Sequence, residues 1–283
     1  MQKCPLSDEI AHFYCRKPPA DYYISRKLGL IFQNTMPSVH EMAVYVDSEY
    51  QSGLYKDYVE ASALKYETFR RRIELIRKYV DGSRLLDVGC ASGFFIEMAL
   101  KYGFDAYGVE LSKQAIALAK PEVGGRITNG DVNLLHVRNE QKFDVVVAFD
   151  IIEHTHDPIK FLQDIRDVLS PQGWLVLTTP DTGHFLRYLM GSHWPMLQPL
   201  QHTYLFSKKA MQKALETAGF NKIHIQNADK TLTLEYLMGQ IRINNPLLTK
   251  MYRVLSHLLP MAIRKRPISV NIGEMLVFCQ RES

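Results

Sequence analysis

The residues best suited to chemistry in this chain surround a glycine loop at residues 85–95, which read L-L-D-V-G-C-A-S-G-F-F. An apolar run ends at Asp87, and Gly89 and Gly93 follow before the apolar pattern resumes at Phe94. This order predicts a buried strand, a tight turn and the start of a helix. Glycines let a ligand approach the backbone closely, and a helix start offers unpaired N–H groups. The loop therefore predicts a binding site for a nucleotide-like cofactor.

Three further acidic residues stand where predicted strands end. Glu110 comes 23 residues after Asp87, and a carboxylate in that place can accept hydrogen bonds from both hydroxyls of a ribose. Asp131 follows the third predicted strand, and Asp150 follows the fourth. Taken singly, each of these acids could instead cap a helix or a turn.

Strand and helix patterns alternate along the chain. The predicted strands are residues 84–88, 106–110, 127–130, 143–149, 174–178, 221–226 and 275–280. The predicted helices are residues 55–80, 94–102, 113–119, 159–169 and 207–218. This alternation predicts an α/β fold with a doubly wound, mostly parallel sheet.

Two regions fall outside this alternation. Residues 1–50 have few periodic signals, and we predict a small irregular lobe there, followed by the main domain at 51–283. Within that domain, residues 229–266 are predicted to form an apolar helical insertion before the last strand, closed by a basic triplet at 264–266. The insertion could serve as a lid or a homodimer face, or it could contact an anionic membrane surface.

Composition excludes several classes of protein. The net charge of +4 arises from 34 basic and 30 acidic residues without a basic tract, so no nucleic-acid partner is expected. The four cysteines lie far apart, which is typical of a reducing compartment. No signal peptide and no apolar run of about 18 residues is visible. We therefore expect a cytoplasmic protein.

The glycine spacing distinguishes this loop from other cofactor loops. It fits neither the dinucleotide fingerprint nor the phosphate loop. It resembles motif I of class I S-adenosylmethionine (SAM) methyltransferases, D-x-G-x-G-x-G, with Ala91 at the middle glycine. Y-G-V-E-L, G-D-V, F-D-V-V-V-A-F-D-I-I-E-H and L-S-P-Q-G-W-L-V-L-T-T-P follow in the family's order. The E-H pair in the third of these resembles ubiquinone-type O-methyltransferases.

The resemblance spans residues 80–225 and the last strand, and it implies a Rossmann-like sheet of seven strands in the order 3-2-1-4-5-7-6, with SAM as the cofactor. The residues expected at the cofactor are Asp87, Gly89, Cys90, Ala91, Gly93, Phe94, Glu110, Leu111, Asp131, Val132 and Asp150. Alanine at position 91 disfavours the positive φ that glycine permits. Cys90 is expected to pack in the loop rather than to act as a nucleophile, since no base neighbours it in the sequence.

Methyl transfer requires alignment, exclusion of water and, for an oxygen or carbon acceptor, a base. His154 and His202 are the candidate catalytic residues, although His154 could instead only pack or cap a helix. The aromatic segment 183–207 is predicted to form the acceptor pocket. Its candidate substrate-binding residues are His184, His193, Trp194 and Tyr204.

The N-terminus resembles the zinc ribbon C-P-x-C … C-x-x-C-G-L-x-F of some small-molecule methyltransferases, including sugar C-methyltransferases. This chain reads C-P-L-S from Cys4 and S-R-K-L-G-L-I-F from Ser25. Tetrahedral zinc needs four donors, mostly thiolates. Because Ser7, Ser25 and Leu28 stand at three of the four ligand positions, we predict a remnant of the ribbon without metal.

The sequence therefore predicts a SAM-dependent methyltransferase that acts on an oxygen or carbon atom of a small molecule. Two alternatives remain open. An NAD(P)-linked oxidoreductase is favoured by Glu110 and by the spacing Tyr204-x-x-x-Lys208, which imitates a short-chain dehydrogenase pair. A non-catalytic SAM-binding or scaffold protein is favoured by the degraded ribbon and by Ala91.

Overall fold

The computed structural model describes residues 2–38, 41, 62–137, 142–233 and 260–282. Its strands are β1 (His12–Lys17), β2 (Ala20–Ile24), β3 (Ile31–Gln33), β4 (Arg84–Val88), β5 (Asp105–Glu110), β6 (Ile127–Asn129), β7 (Phe143–Phe149), β8 (Leu169–Pro180), β9 (Tyr204–Leu205), β10 (Phe220–Thr233) and β11 (Pro267–Arg281). Its α-helices are α1 (Ser62–Tyr79), α2 (Phe94–Lys101), α3 (Lys113–Ala117), α4 (Pro121–Gly124), α5 (Asn133–Val137), α6 (Pro158–Val168), α7 (Phe185–Met190), α8 (Lys208–Thr217) and α9 (Met261–Arg264). Short 3-10 turns cover Ile152–His154 and Gly191–His193. Within these ranges, every helix is too short or too polar to cross a membrane.

A seven-stranded sheet, in the order β10-β11-β8-β7-β4-β5-β6, forms the centre of the fold. Strands β4 to β8 pair in parallel, whereas β11 runs antiparallel to both β8 and β10. Counted from β4, this is the predicted order 3-2-1-4-5-7-6, so the doubly wound α/β fold is confirmed. The order brings the carboxyl ends of β4, β5 and β7 to one edge of the sheet.

Helices cover both faces of the sheet because its central strands are apolar on both sides. Leu85 faces a core layer that includes α1 and α2. Its neighbour Leu86 faces the opposite layer, which includes α6 and α8. Asp157 caps α6 and Ser207 caps α8, each by accepting a backbone N–H, as the sequence predicts.

The N-terminal region is a sheet, so the expectation of an irregular lobe is wrong. Strands β1, β2 and β3 are antiparallel, and β9 from the predicted acceptor segment extends them. Ile31 pairs with Leu205, and Phe32 pairs with Tyr204. A strand of two residues with a partner about 170 positions away leaves almost no periodic signal in the sequence.

The last hairpin is longer than expected, which corrects the start of the predicted insertion at residue 229. Pairing between β10 and β11 continues through Lys230 opposite Val270 to Thr233 opposite Pro267. Residues 229–233 are therefore part of a strand, because their backbone pairs with β11. The apolar run that begins at Leu232 resembles a helix in the sequence alone. Of the remaining predicted insertion, residues 234–259 lie outside the described part of the chain.

Phe278 on β11 tests the central packing. It is fully buried and stacks on Tyr79 of α1, with ring centroids 4.4 Å apart. We predict that Phe278→Ala lowers the free energy of unfolding by about 3–5 kcal/mol, because it removes buried apolar area and leaves a cavity. Phe185→Ala, at a site that is 65% exposed, is the matched control and should change it by less than about 0.5 kcal/mol. Equal urea midpoints for the two variants would contradict this packing.

Candidate active site

The glycine loop requires glycine at both predicted positions. Gly89 and Gly93 have φ values of 73° and 77°, in the left-handed region that favours glycine. A Cβ at Gly89 would lie 2.2 Å from Ile151 Cδ1, and a Cβ at Gly93 would lie 2.4 Å from Val123 Cγ1. The loop can therefore follow this path only without side chains at these two residues.

Ala91 also adopts a positive φ, of 49°, although alanine disfavours that conformation. A left-handed alanine costs roughly 1–2 kcal/mol, and the Ala91 N–H is held by Glu110 Oε2 at 2.9 Å. The other Glu110 oxygen accepts the Ser112 N–H at 2.8 Å. An ionised carboxylate has about four lone-pair positions, so Glu110 orients the loop and keeps acceptor capacity for a ligand.

Asp87 and Cys90 lie buried beneath the loop. Burial, and then repulsion by Glu110, raises the pKa of Asp87 well above its usual range. Burial also raises the pKa of Cys90, which disfavours the thiolate that a nucleophile needs. Its sulfur fills the space beside Gly108, where an added Cβ would lie 2.5 Å from Sγ.

The other predicted cofactor residues have different environments. Asp131 is exposed, and its carboxylate accepts the Asn133 N–H at 2.6 Å. Val132 lies in the hydrophobic core rather than on an open face. Leu111 is 71% exposed. Phe94 borders a cavity of about 250 Å³ at the start of α2.

Asp150, at the end of β7, is held by two donors. Thr178 Oγ1 donates to Oδ1 at 2.8 Å, and Lys230 Nζ pairs with Oδ2 at 3.2 Å. Burial alone would raise the pKa of Asp150, but Lys230 and Arg72 outweigh it and hold that pKa below its usual range. Lys230 also pairs with Glu274 of β11. The sequence analysis missed this cluster, because its members come from distant elements.

Arg72 is a second functional candidate that the sequence analysis missed. It ends the basic run 70–72, whose first two arginines form surface pairs with Glu67. Arg72 itself is 5% exposed, and its guanidinium lies 4.5 Å from the centre of the Phe149 ring. Among the described residues, its buried Nη2 has no hydrogen-bond partner. Arg72 lies four residues before the buried Ile76 on α1, so the two share a face of the helix. This spacing is the sequence signal that could have predicted the burial of Arg72.

The two predicted catalytic histidines lie together. The rings of His154 and His202 have centroids 4.9 Å apart. Nδ1 of His154 contacts the Gln201 carbonyl at 3.1 Å, and Nδ1 of His202 contacts the Met196 carbonyl at 2.7 Å. Since a carbonyl only accepts, each Nδ1 carries the proton and each Nε2 is the basic nitrogen.

Both histidines are neutral in this environment. Burial, and then repulsion from His154, lowers the pKa of His202 to about 3. Burial also lowers the pKa of His154. The N-terminal sheet holds the backbone of His202, because Gln33 Nε2 and Tyr22 Oη both contact its carbonyl, at 2.8 and 3.3 Å.

Glu153 completes this group. Its carboxylate is buried and accepts the Thr179 hydroxyl at 2.9 Å, and burial raises its pKa, as does the charge of Asp150. Glu153, His154 and His202 offer ligand atoms that all lie within 4.8 Å of one another. Two histidines and a carboxylate are donors that a divalent metal ion could use.

The four predicted substrate residues do not converge. His184 caps α7 by accepting the Leu186 N–H, and His193 is exposed on a 3-10 turn. Trp194 is buried in a core cluster with the N-terminal sheet. Tyr204 is also buried, with its hydroxyl 3.4 Å from the His156 carbonyl. Trp194 and Tyr204 therefore pack the segment instead of forming an open pocket wall.

Several known proteins resemble this chain in sequence and in fold. A family model of the methyltransferase domain matches residues 61–225. The ubiquinone biosynthesis O-methyltransferase of Haemophilus ducreyi is 32% identical over 110 residues, which cover 35% of this chain and 45% of that protein. The mitochondrial one of Schizosaccharomyces pombe is 32% identical over 119 residues, which cover 40% and 42%. The chain spans about half the length of the curated relatives it matches.

Solved structures show the same fold at low identity. A SAM-dependent methyltransferase from Archaeoglobus fulgidus aligns with a TM-score of 0.52 and 17% identity, over 79% of this chain and 99% of that one. One from Thermotoga maritima aligns with a TM-score of 0.55 and 15% identity, over 87% and 100%. Together with the family match, which covers more than half of the chain, they confirm the resemblance that motif I indicates. This chain belongs to the methyltransferase domain family, of the class I SAM-dependent type.

Proposed function

We propose that this chain transfers the methyl group of SAM to an oxygen or carbon atom of a small-molecule acceptor. The observation that carries the proposal is the pair His154 and His202, two neutral bases on the loops that follow β7 and β8, of which His202 is buried and His154 is half-buried. The glycine loop at the carboxyl end of β4 supports it from the cofactor side. The relatives named O-methyltransferases favour oxygen as the acceptor atom.

The residues around the loop fit SAM. Glu110, whose two oxygens each accept one backbone N–H and keep further acceptor capacity, would accept the ribose hydroxyls. Asp131 would meet the adenine amino group. The unpartnered Nη2 of Arg72 would bind the methionyl carboxylate, because a guanidinium suits that anion. When bound, SAM supplies a methyl group that is already activated for displacement.

The chain's own residues then align the acceptor and move its proton. His202 or His154 would accept the proton of an acceptor hydroxyl at Nε2, and the hydrogen bond at Nδ1 keeps each ring in the tautomer that allows this. Burial of both rings keeps water from the reacting atoms. Asp150 would face the cofactor from the end of β7.

The oxidoreductase alternative loses its main support. Lys208 Nζ bonds to Asn227 Oδ1 at 2.7 Å, and the buried Tyr204 hydroxyl contacts the His156 carbonyl. The pair that imitates a short-chain dehydrogenase therefore has other partners. A turnover assay separates the remaining alternative, a non-catalytic SAM-binding protein, from an enzyme.

We propose that the N-terminal sheet is a ribbon remnant without metal. Ser25 Oγ, at a former ligand position, donates to the Glu9 carboxylate and accepts the Leu28 N–H at 3.1 Å. The same carboxylate accepts the Lys27 N–H at 3.2 Å. These hydrogen bonds take the place that metal ligation has in a zinc ribbon.

We propose a cytoplasmic protein in which the predicted insertion serves as a lid or as a homodimer face. Residues 234–259 of that insertion lie outside the described part of the chain. Membrane contact through the same segment is the alternative, and vesicle sedimentation distinguishes the two.

Asparagine variants of the two histidines test the function. In the double variant His154→Asn/His202→Asn, each side-chain amide can still donate to the Gln201 or Met196 carbonyl, but the basic Nε2 is gone. We expect methyl transfer from labelled SAM to a panel of phenols and sugars to fall by about 10²-fold or more. Calorimetry should show SAM affinity within about threefold of the wild type, since the pair acts on the acceptor.

His193→Asn, at an exposed site, is the matched control and should retain full turnover. Unchanged turnover in the double variant would contradict the proposed base. No heat with SAM or S-adenosylhomocysteine on folded wild-type protein would contradict the function itself.

His202 should also make stability depend on pH. Its pKa in the folded protein is about 3, against an ordinary value of 6.5, so the unfolded chain binds one more proton between these values. Stability should therefore fall as pH drops through this window, by up to about 1.4 kcal/mol per pH unit. We expect urea unfolding of His202→Asn to show a shallower pH slope by about one proton. Equal slopes in the variant and the wild type would refute the neutral buried histidine.

Zinc analysis tests the ribbon remnant. We expect far less than stoichiometric zinc in the His202→Ala variant purified without added metal, because Ser and Leu at three ligand positions provide no thiolates. This variant removes one of the three potential metal ligands Glu153, His154 and His202. Any zinc that remains would therefore be assigned to the N-terminal sheet. Stoichiometric zinc that is lost on further substitution of Cys4 would overturn the prediction.

A further inference from the structure

Lys230 is a half-buried lysine, with 26% of its side chain exposed, that joins two carboxylates from other parts of the chain. It lies on β10, beyond residues 61–225 of the family match. Its Nζ pairs with Asp150 Oδ2 at 3.2 Å and also with Glu274 Oε1. The extension of the β10–β11 hairpin past residue 226 is what brings Lys230 and Glu274 to this position.

The ion pair with Lys230 helps to orient the side chain of Asp150. That residue has a φ of 58°, which is strained for a residue other than glycine. Thr178 orients one oxygen of its carboxylate and Lys230 orients the other. Its backbone N–H donates to the Thr178 carbonyl at 2.9 Å. With these partners, the carboxylate has a defined direction at the end of β7.

The titratable groups around Asp150, other than Lys230 of β10, come from four parts of the fold. Arg72 and Lys65 belong to α1, and Glu274 belongs to β11. Glu153, His154 and His202 approach from the loops after β7 and β8. Without Lys230, Asp150 and Glu274 would lie near each other with fewer cations, and two such acids do not both ionise readily.

We propose that Lys230 is a positioning residue for methyl transfer, which acts by pairing with Asp150 and orienting its carboxylate at the cofactor site. This rests on the proposed function, in which Asp150 faces the cofactor. The last hairpin thereby completes a site whose other residues belong to the matched methyltransferase domain.

The experiment compares Lys230→Met with the wild type. Methionine retains much of the side-chain length but has no charge. Calorimetry with SAM should show affinity about tenfold or more weaker at low pH, with recovery as pH rises and Asp150 ionises. The wild type should vary little over the same range. In an Asp150→Asn background, Lys230→Met should change affinity by less than about twofold, because the residue acts through Asp150.

Two further variants serve as controls. Lys213→Met, at an exposed site on α8, should match the wild type. Lys230→Arg should restore most of the affinity, because it restores the charge. An unchanged affinity and pH profile in Lys230→Met, or an equal loss in the Asp150→Asn background, would overturn the proposal.

A measurement without SAM separates this proposal from the proposed function. Relative to the wild type, Lys230→Met should lose stability as pH rises through the range in which its protonated Asp150 must ionise. The Asp150→Asn background should reduce that difference, and the part that remains reports on Glu274, with which Lys230 also pairs. If wild-type protein binds no SAM yet this pattern is seen, the proposed function fails while the pairing stands. Parallel stability profiles in all variants would refute the pairing.

Discussion

The parallel pairing of β4 with β5 and β7 is the constraint on which the site depends. Asp87 stands opposite Gly108 on one side and Val147 on the other. The strands therefore end at the same edge, and the glycine loop, Glu110 and Asp150 follow within two residues of those ends. The loop lies against β5 because the N–H groups of Gly89 and Cys90 both donate to the Val109 carbonyl. A side chain at Gly108 would push Cys90 away from this position.

Electrostatics divides the site into two parts. Around Asp150, the buried Arg72 and the half-buried Lys230 hold a carboxylate in its charged form. Around Glu153, burial dominates, and it favours a neutral acid beside two neutral imidazoles. The difference arises from neighbours and not from residue type, since Asp150 and Glu153 are only three positions apart. Such a division suits a reaction that needs both a counter-ion for a cationic cofactor and an uncharged base for the acceptor.

The N-terminal sheet takes part in this site through β9. Its strands pair with the acceptor segment, and Tyr22 and Gln33 contact the carbonyl of His202. The buried ring of Trp194 packs into the same cluster as Tyr22. The small sheet thus holds one of the two histidines, while the main sheet and the turn after β7 hold the other. Its Ser25 orders the turn before β3 through hydrogen bonds with the Glu9 carboxylate and the Leu28 N–H.

The sequence by itself determined the main sheet and the glycine loop, and it predicted the two histidines that the structure brings together. Strands such as β4 and β7 are apolar runs buried on both faces, and glycines with required left-handed φ are visible in a single chain. Only the tertiary structure decided that Arg72 is buried, that Lys230 and Glu274 reach Asp150, and that Trp194 and Tyr204 pack inward. These contacts join residues up to 202 positions apart, as from Arg72 to Glu274, and local periodicity carries no information about such pairs. The length of the last hairpin was hidden for the same reason, because the partner that makes residues 229–233 a strand begins only at residue 267.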